Sequence, residues 1–268
     1  MLAFSNGLTD RDQVLQQKLG NLLIDEKLQS LVKARKLGVA YIDIGDISRP
    51  LVAGVNEYEM FYAASLPKLA ILLGLFRKIE AKQLVWSSQI KELADEMISL
   101  SSNPAATQLF YLVGPNYIAN VLLSPELRLY EPLLGGGLWV GKEYGPKPAW
   151  QREPLKHLSH AANALQVARF YYLLESGGLL HNAVLSHEMK SILGRTYLSN
   201  KFVKGLSENC GKYRIYRKSG AWKQFFSDSV LLHSSSRNYI AVALVEDLNG
   251  DQLLEKLIVG LDRLSFPA

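Results

Sequence analysis

Apolar and polar positions follow two different periods along the chain, and the changes of period divide it into a few stretches. Over the first 36 residues, leucine and valine recur every three or four positions, which predicts a helix with Asp10 as its cap. The stretches Leu37–Ile44 and Leu51–Val55 are short, apolar and separated by turn residues, so they predict two strands. The chain therefore opens with a helix and a strand pair.

Helical periodicity dominates the middle of the chain. The stretch from Ser65 to Leu84 is apolar on most faces, and Pro67 lies where a first helical turn tolerates proline, so a buried helix is predicted. Further helices are predicted over residues 88–100, 103–112 and 160–176. Residues 124–154 contain many prolines and glycines, which predicts a long loop of the kind that often carries function.

The last part of the chain returns to strand patterning, with strands predicted over residues 213–218, 226–233 and 239–246 and a final helix over 252–264. Strands from both ends can pair in one antiparallel sheet flanked by the terminal helices. The sequence thus predicts an α+β fold with an α/β lobe and an all-helical lobe, formed by residues 1–58 with 190–268 and by residues 59–189. The cleft between two such lobes is the expected place for a site.

Composition limits the function classes. The chain has 268 residues, a net charge of +5 and 48% hydrophobic residues, which is typical of a globular protein. Because Lys and Arg are spread along the chain, nucleic-acid binding is not predicted. The most apolar run, residues 69–76, is too short for a membrane span.

The sequence gives little indication of a metal site, a disulfide bond or a phosphate-binding loop. The single cysteine, Cys210, cannot form an internal disulfide and is too few for a cysteine metal site. His157 and His160 form an H-x-x-H pair without a third ligand, so we expect no metal there. The glycine-rich phosphate-binding motifs are missing from the sequence. We therefore expect no cofactor.

Three short motifs occur in order: Ser65-Leu66-Pro67-Lys68, Ser101-Ser102-Asn103 and Lys218-Ser219-Gly220. They follow the patterns S-x-x-K, S-D-N and K-T-G of penicillin-recognising serine enzymes. S-x-x-K also occurs at residues 30–33 and 88–91, but only Ser65 opens a buried helix after a strand pair. The second motif lies between two predicted helices, and the third lies at the end of a predicted strand.

On these motifs the chain resembles the class A β-lactamases and the wider group of penicillin-binding serine transpeptidases, the serine β-lactamase-like superfamily. The resemblance runs from about residue 37 to the end and includes the flanking sequences MFYAASLPK, LSSNPAATQLF and KSGA. It implies a hydrolase of the antibiotic-resistance type, a monomer acting on a small amide such as a β-lactam or D-Ala-type peptide. It also implies an extracytoplasmic or periplasmic location, although residues 1–7 are too short for a signal peptide.

Residue chemistry suggests a role for each member of the first two motifs. Ser65 needs a base to become a nucleophile, and Lys68 can serve if burial, the helix start and Lys218 lower its pKa. Ser101 can relay a proton to the leaving nitrogen, and Asn103 can hold a substrate amide. Each motif alone also fits a structural role: a capping serine with a solvated lysine, or an ordinary helix cap.

The third motif is interpreted through the resemblance. It implies that Lys218 and Ser219 bind a substrate carboxylate, and that Gly220 lets the substrate backbone lie close to the strand. It also implies an oxyanion hole formed by the backbone N–H groups of Ser65 and Ala221. The structural alternative is a strand end followed by a turn.

Two departures from the family pattern bear on the reaction. Class A enzymes carry a water-activating glutamate about 34 residues after the asparagine of the second motif, which here falls near Gly137. Glu131, Glu143 and Glu153 lie in the same loop, and Glu153 in QREPLKH has the closest local sequence, so it is the candidate deacylation acid. Ser102 also replaces the usual aspartate.

A third departure follows Lys218, where the family often has an arginine that helps to hold the carboxylate. Here the corresponding stretch is FFSDS, which leaves Lys223 or Arg217 as substitutes.

The sequence predicts a serine acyl hydrolase that forms an acyl-enzyme on Ser65, with β-lactam amides as substrates. One alternative is a D,D-peptidase or esterase on the same fold, and a serine-dependent glutaminase is a more remote one. Another is a penicillin-binding or sensing protein without turnover, because a chain that lacks the deacylation acid should keep its acyl group for a long time.

Overall fold

The computed structural model describes residue 8 and residues 10–265, and the side chains of residues 209–211, with the expectation for Cys210, lie outside this description. Within it the α-helices are α1 (Gln13–Asp25), α2 (Gln29–Lys33), α3 (Lys68–Glu80), α4 (Ser88–Ser99), α5 (Asn103–Val113), α6 (Pro115–Leu123), α7 (Ala164–Ser176), α8 (Ala183–Leu193), α9 (Lys201–Gly205) and α10 (Gly250–Leu261). The strands are β1 (Leu37–Asp43), β2 (Leu51–Val55), β3 (Phe61–Tyr62), β4 (Tyr130–Glu131), β5 (Gly136–Gly137), β6 (Trp139–Val140), β7 (His160–Ala162), β8 (Arg214–Trp222), β9 (Phe225–His233) and β10 (Asn238–Glu246). None of these described helices is both long and apolar enough to cross a bilayer.

A five-stranded antiparallel sheet joins the two ends of the chain in the order β2-β1-β10-β9-β8. Its central pairing is between β1 and β10, where Tyr41 lies opposite Ala241. At one edge β8 pairs with β9, and Lys218 lies opposite Ser229. The predicted α+β fold with a sheet drawn from both ends is confirmed, and β8 is one of the two edge strands of this sheet.

The two faces of the sheet pack on different parts of the chain, because successive side chains of a strand point to opposite sides. Tyr41 and Val230 face the terminal helices, which contribute Leu19 of α1 and Leu257 of α10 to the same buried cluster. The other face, which includes Ile42, packs on the middle of the chain in a second buried cluster. The sheet is therefore the layer between terminal helices and middle segment.

Helix α3 forms the centre of the middle segment. Its residues from Lys68 to Phe76 are all buried, as expected from a sequence that is apolar on most faces. Pro67 is the N-cap, so the helix begins at Lys68 and not at Ser65. Ser65 lies in the turn before it, where its carbonyl accepts a 3.2 Å hydrogen bond from the Lys68 amide.

The first helix also differs from its prediction. Asp12, and not Asp10, caps α1 by accepting a 2.8 Å hydrogen bond from the Leu15 amide. The helical pattern is interrupted at Lys27, whose φ of 58° is left-handed, so that α2 is a separate short helix. Periodicity continues across this break because both helices turn apolar residues to the same core.

The middle segment is mostly helical but also contains small sheets, unlike the all-helical unit expected from the sequence. Strands β3, β7 and β6 form a three-stranded sheet, and β4 pairs with β5. Residues 160–162, predicted as the start of a helix, belong to β7, and α7 begins only after Asn163, its N-cap. Strands of two or three residues are too short to produce a recognisable alternation.

Candidate active site

Lys68 lies at the centre of the candidate site. Its side chain is fully buried, and Nζ donates hydrogen bonds to the Ser101 carbonyl oxygen at 2.6 Å and to Asn103 Oδ1 at 2.8 Å. The hydroxyl of Ser101 lies 3.4 Å from the same nitrogen. The second motif therefore surrounds the lysine of the first.

Burial lowers the pKa of Lys68 from its usual 10.5 to about 7. The position of Lys68 as the first residue of α3 acts in the same direction, because a helix start disfavours a positive charge. A neutral amine has two N–H donors and one lone pair. The two short contacts use both donors, so the lone pair is left to accept a proton.

Lys218 reaches the same hydroxyl from the sheet. Its Nζ donates to Ser101 Oγ at 2.9 Å and to the Ser219 carbonyl oxygen at 2.8 Å. Burial, and next the charge of Lys68, hold the pKa of Lys218 well below its usual value. Two buried amines thus share one hydroxyl group, and their proton equilibria are coupled.

Ser65 meets the third motif through the backbone. A Cβ placed on Gly220 would lie 2.8 Å from the Ser65 amide nitrogen and 2.3 Å from the Ala63 carbonyl oxygen, so only glycine allows β8 to come this close. The Ser227 hydroxyl holds the same turn by donating to the Ala63 carbonyl oxygen at 3.1 Å. The three motifs therefore converge, with Ser65 half-buried beside them.

Ala64 and Ser101 both adopt left-handed backbone conformations, with φ of 50° and 57°. Such conformations cost a non-glycine residue about 1–3 kcal/mol each and are often found at functional sites. The turn at Ser101 directs its carbonyl oxygen to Lys68. Ser102 is the N-cap of α5, because its hydroxyl accepts a hydrogen bond from the Ala105 amide. The helix-cap role considered for the second motif is therefore filled by Ser102.

The remaining members of the third motif lie in β8. Ser219 is buried and pairs with Asp228, whereas Ala221 is exposed opposite Phe226. Of the proposed carboxylate-binding substitutes, Arg217 is bound by Asp228, with Nη2 to Oδ2 at 2.7 Å, and it also holds the loop at Asn200. Its charge is therefore already neutralised inside the protein.

One aromatic residue that sequence reasoning did not assign, Tyr144, lies next to Lys68. The centre of the Tyr144 ring is 4.5 Å from Nζ, and the Tyr144 hydroxyl donates to the Ala64 carbonyl oxygen at 3.3 Å. The Tyr144 ring packs on His160, with ring centres 4.3 Å apart. A lone tyrosine in a proline- and glycine-rich loop gives no periodic signal, so it could be found only from the fold.

His160 is buried and uncharged at neutral pH, because burial lowers its pKa to about 4. Its Nε2 lies 3.1 Å from the Lys142 carbonyl oxygen. His157, the other half of the H-x-x-H pair, is exposed. Within the described part of the chain, no three His, Cys, Asp or Glu side chains are grouped to hold a metal ion.

The three glutamates of the long loop are each engaged by neighbours. Glu153 is fully buried and accepts hydrogen bonds from the Tyr130 hydroxyl at 3.0 Å and from the backbone amides of residues 155, 156 and 158. Glu143 accepts from the Tyr111 hydroxyl at 2.6 Å, which lowers the pKa of this carboxyl. The side chain of Arg128 likewise lowers the pKa of Glu131. These contacts tie each carboxylate to its own loop or to α5.

Fold and motif geometry together define a serine β-lactamase-like protein. A family model described as the beta-lactamase enzyme family matches residues 23–91 and 87–263, and the chain belongs to this family. A comparison with curated proteins finds no match.

Solved structures share the fold at low sequence identity. A beta-lactamase from Sphaerobacter thermophilus has a TM-score of 0.70 at 15% identity, covering 93% of this chain and 95% of its own. PBP-A has a TM-score of 0.68 at 16% identity over 94% and 96% of the two chains. A variant of PBP-A, in an acyl-enzyme complex with penicillin G, has a TM-score of 0.71 at 16% identity over 91% and 95%.

Proposed function

We propose that the chain forms an acyl-enzyme on Ser65 with a small amide substrate, and that β-lactams are among its substrates. The observation that carries the proposal is the shared contact of Lys68 and Lys218 with the Ser101 hydroxyl, beside the Ser65 turn. We place this site in the cleft between a lobe of residues 1–58 with 190–268 and a lobe of residues 59–189.

In the proposed acylation step, Lys68 is the base and Ser101 is the proton relay. Neutral Lys68 takes the proton of the Ser65 hydroxyl while the Ser65 oxygen bonds to the substrate carbonyl carbon. When the C–N bond breaks, the leaving nitrogen receives a proton from the Ser101 hydroxyl. That hydroxyl recovers a proton from Lys68, whose Nζ lies 3.4 Å away, while Lys218 holds it in place.

Two further groups support the negative charge that develops on the carbonyl oxygen. The backbone N–H groups of Ser65 and Ala221 are the proposed oxyanion hole, and the close approach of Gly220 to the Ser65 amide favours it. Losing one such donor typically raises a barrier by about 3 kcal/mol.

Lys218 and Ser219 are the proposed partners of a substrate carboxylate, and the exposed Asn103 is the proposed partner of its amide.

Release of the acyl group is proposed to be slow. Hydrolysis needs a base near the ester, and Glu153, the sequence candidate, is occupied by Tyr130 and by backbone amides. Glu143 is occupied by Tyr111. These contacts favour a second candidate function, a penicillin-binding or sensing protein that acylates without rapid turnover. A D,D-peptidase or esterase on the same fold shares the acylation step.

Intact-protein mass spectrometry tests the acylation. Incubation with penicillin G should add the mass of one intact penicillin, because ring opening loses no atoms. The adduct should map to Ser65 and be missing from Ser65→Ala. Ser88→Ala is the matched control, since Ser88 begins another S-x-x-K sequence at an exposed position, and it should be acylated normally.

The decay of the adduct then separates the candidate functions. An adduct that persists for hours supports the penicillin-binding protein, and rapid loss with product release supports the hydrolase. Faster acylation by a D-Ala-D-Ala ester than by penicillin G would favour the peptidase. An adduct that survives in Ser65→Ala, or none with several lactams, would refute the assignment of Ser65 as the lactam-reactive nucleophile.

A further inference from the structure

We propose that Tyr144 is a positioning residue that confines the amine of Lys68 and shields it from water, so that acylation depends on its aromatic ring. This inference rests on the proposed acylation at Ser65. The oxygens of Ser101 and Asn103 contact Nζ, and the ring centre of Tyr144 lies 4.5 Å from it. The ring and the two polar contacts together restrict where the amine can move.

Tyr144 is itself held in place at three points. Its amide donates to the Thr107 hydroxyl of α5 at 3.1 Å, and its own hydroxyl donates to the Ala64 carbonyl oxygen. Its ring packs on His160. Tyr144 therefore spans from the Lys68 amine to the residue before Ser65. Burial raises the pKa of the Tyr144 phenol well above 10, so the phenol acts there as a neutral donor.

The residue before Tyr144 is a glutamate, and the direction of its carboxylate decides whether an acid reaches Lys68. The carboxylate of Glu143 is directed to Tyr111 and to the Lys147 amide. The side chain that the loop presents to Lys68 is therefore the phenol of residue 144. A ring at this position excludes water and gives the amine no carboxylate partner.

The ring acts on Lys68 in two opposite ways. A ring face attracts an ammonium group, which favours the charged form, whereas exclusion of water favours the neutral form. Burial by all its neighbours lowers the pKa of Lys68 from 10.5 to about 7, so we expect exclusion of water to be the larger effect of the ring. Among the described residues, Lys218 from β8 and His160 from β7 also interact with the charge of Lys68, and His160 is neutral above about pH 4.

The test measures the rate of acylation by penicillin G against pH. In the wild type the rate should rise through a midpoint near pH 7, a value that belongs to the Lys68–Lys218 pair. In Tyr144→Ala the midpoint should rise by about one to two pH units, so that the rate at pH 7 falls roughly 5- to 50-fold. Tyr144→Phe keeps the ring and should restore the wild-type midpoint. Tyr144→Leu keeps apolar bulk and should raise the midpoint by less than the alanine variant does. It replaces the alanine variant in the test if that variant fails to fold.

Tyr111→Phe is the control for a loosened loop. It removes the hydrogen bond to Glu143 while leaving the ring over Lys68, so it should lower the melting temperature without moving the midpoint. An unchanged midpoint in Tyr144→Ala, or an equal shift in Tyr111→Phe, would overturn the proposal.

A protein that no lactam acylates can still be tested. The unfolding free energy of the wild type should increase between pH 7 and 9, and Tyr144→Ala should lose much of this increase. Equal increases in both proteins would refute the role of Tyr144. If no lactam acylates the protein and the unfolding free energies of the two proteins still change with pH as expected, only the proposed function is refuted.

Discussion

Lys68 should make the protein more stable at alkaline pH than at neutral pH. Its folded-state pKa is lowered to about 7 from the usual 10.5, so between these values the unfolded chain binds a proton that the folded chain does not. Stability therefore rises with pH in this window, and on lowering the pH its loss is complete once the pH has fallen through about 7. At about 1.4 kcal/mol per pKa unit, the full difference is about 5 kcal/mol.

The perturbation is Lys68→Met, which removes the titrating group and keeps an apolar side chain of similar length. Unfolding by urea at pH 7 and pH 9 gives the stability of both proteins. The wild type should gain about 2 kcal/mol more than the variant over this interval. The oxygens of Ser101 and Asn103 lose a donor in the variant, but that cost does not depend on pH.

Lys218 is present in both proteins, and removing Lys68 relieves the repulsion between the two amines. This relief raises the pKa of Lys218 in the variant, so it increases the expected difference. Lys91→Met is the matched control, because Lys91 ends another S-x-x-K sequence and its side chain is 50% exposed. Parallel pH dependences of the wild type and Lys68→Met would show that Lys68 keeps an ordinary pKa and would refute its role as the base.

Four further substitutions test other contacts. Gly220→Ala should abolish measurable acylation while the protein still folds, because the added Cβ forces β8 away from the Ser65 turn; acylation at the wild-type rate would contradict this. Ser101→Ala should slow acylation by roughly 10²–10⁴-fold in a mass-spectrometric time course, and a change below twofold would remove the proton relay. Arg217→Met leaves Asp228 buried and unpaired, so urea unfolding should show a loss of about 3–5 kcal/mol. Glu153→Gln should lower the melting temperature and leave the lifetime of the acyl group unchanged; faster loss of stored adduct in the wild type than in the variant would restore Glu153 as the deacylation acid.

The strands of the main sheet could be predicted from the sequence because most of them are apolar runs of five or more residues separated by turn residues. Leu37–Ile44 and Leu51–Val55 correspond to β1 and β2 within one residue. The ordered motifs predicted which lysine and which serine would meet: Lys68 begins α3, and Ser101 lies between α4 and α5. The third motif was predicted at a strand end, which is wrong, because β8 continues to Trp222 and Lys218 lies at its centre. The assignment of their chemical roles is still a prediction.

The rest depended on contacts that no local pattern records. The pairs of β3, β4, β5, β6 and β7 involve two or three residues each, so their strand character comes from tertiary contacts. Tyr144 lies over Lys68 with its amide bonded to Thr107 of α5, a tertiary contact that the loop sequence does not reveal. The burial of Glu153 likewise follows from a turn whose amides bind its carboxylate, a contact that the sequence of the turn does not reveal.

The order of strands in the sheet also determines when the protein can become functional during its own synthesis. Leu37 in β1 pairs with Val245 in β10, so the first strand pair leaves the ribosome long before its central neighbour exists. The nascent chain must therefore carry an unpaired hydrophobic strand edge through most of translation. Lys218 is added late and joins Lys68 at the Ser101 hydroxyl only when this sheet closes, so chains that stop before β8 should aggregate and lack the proposed reactivity.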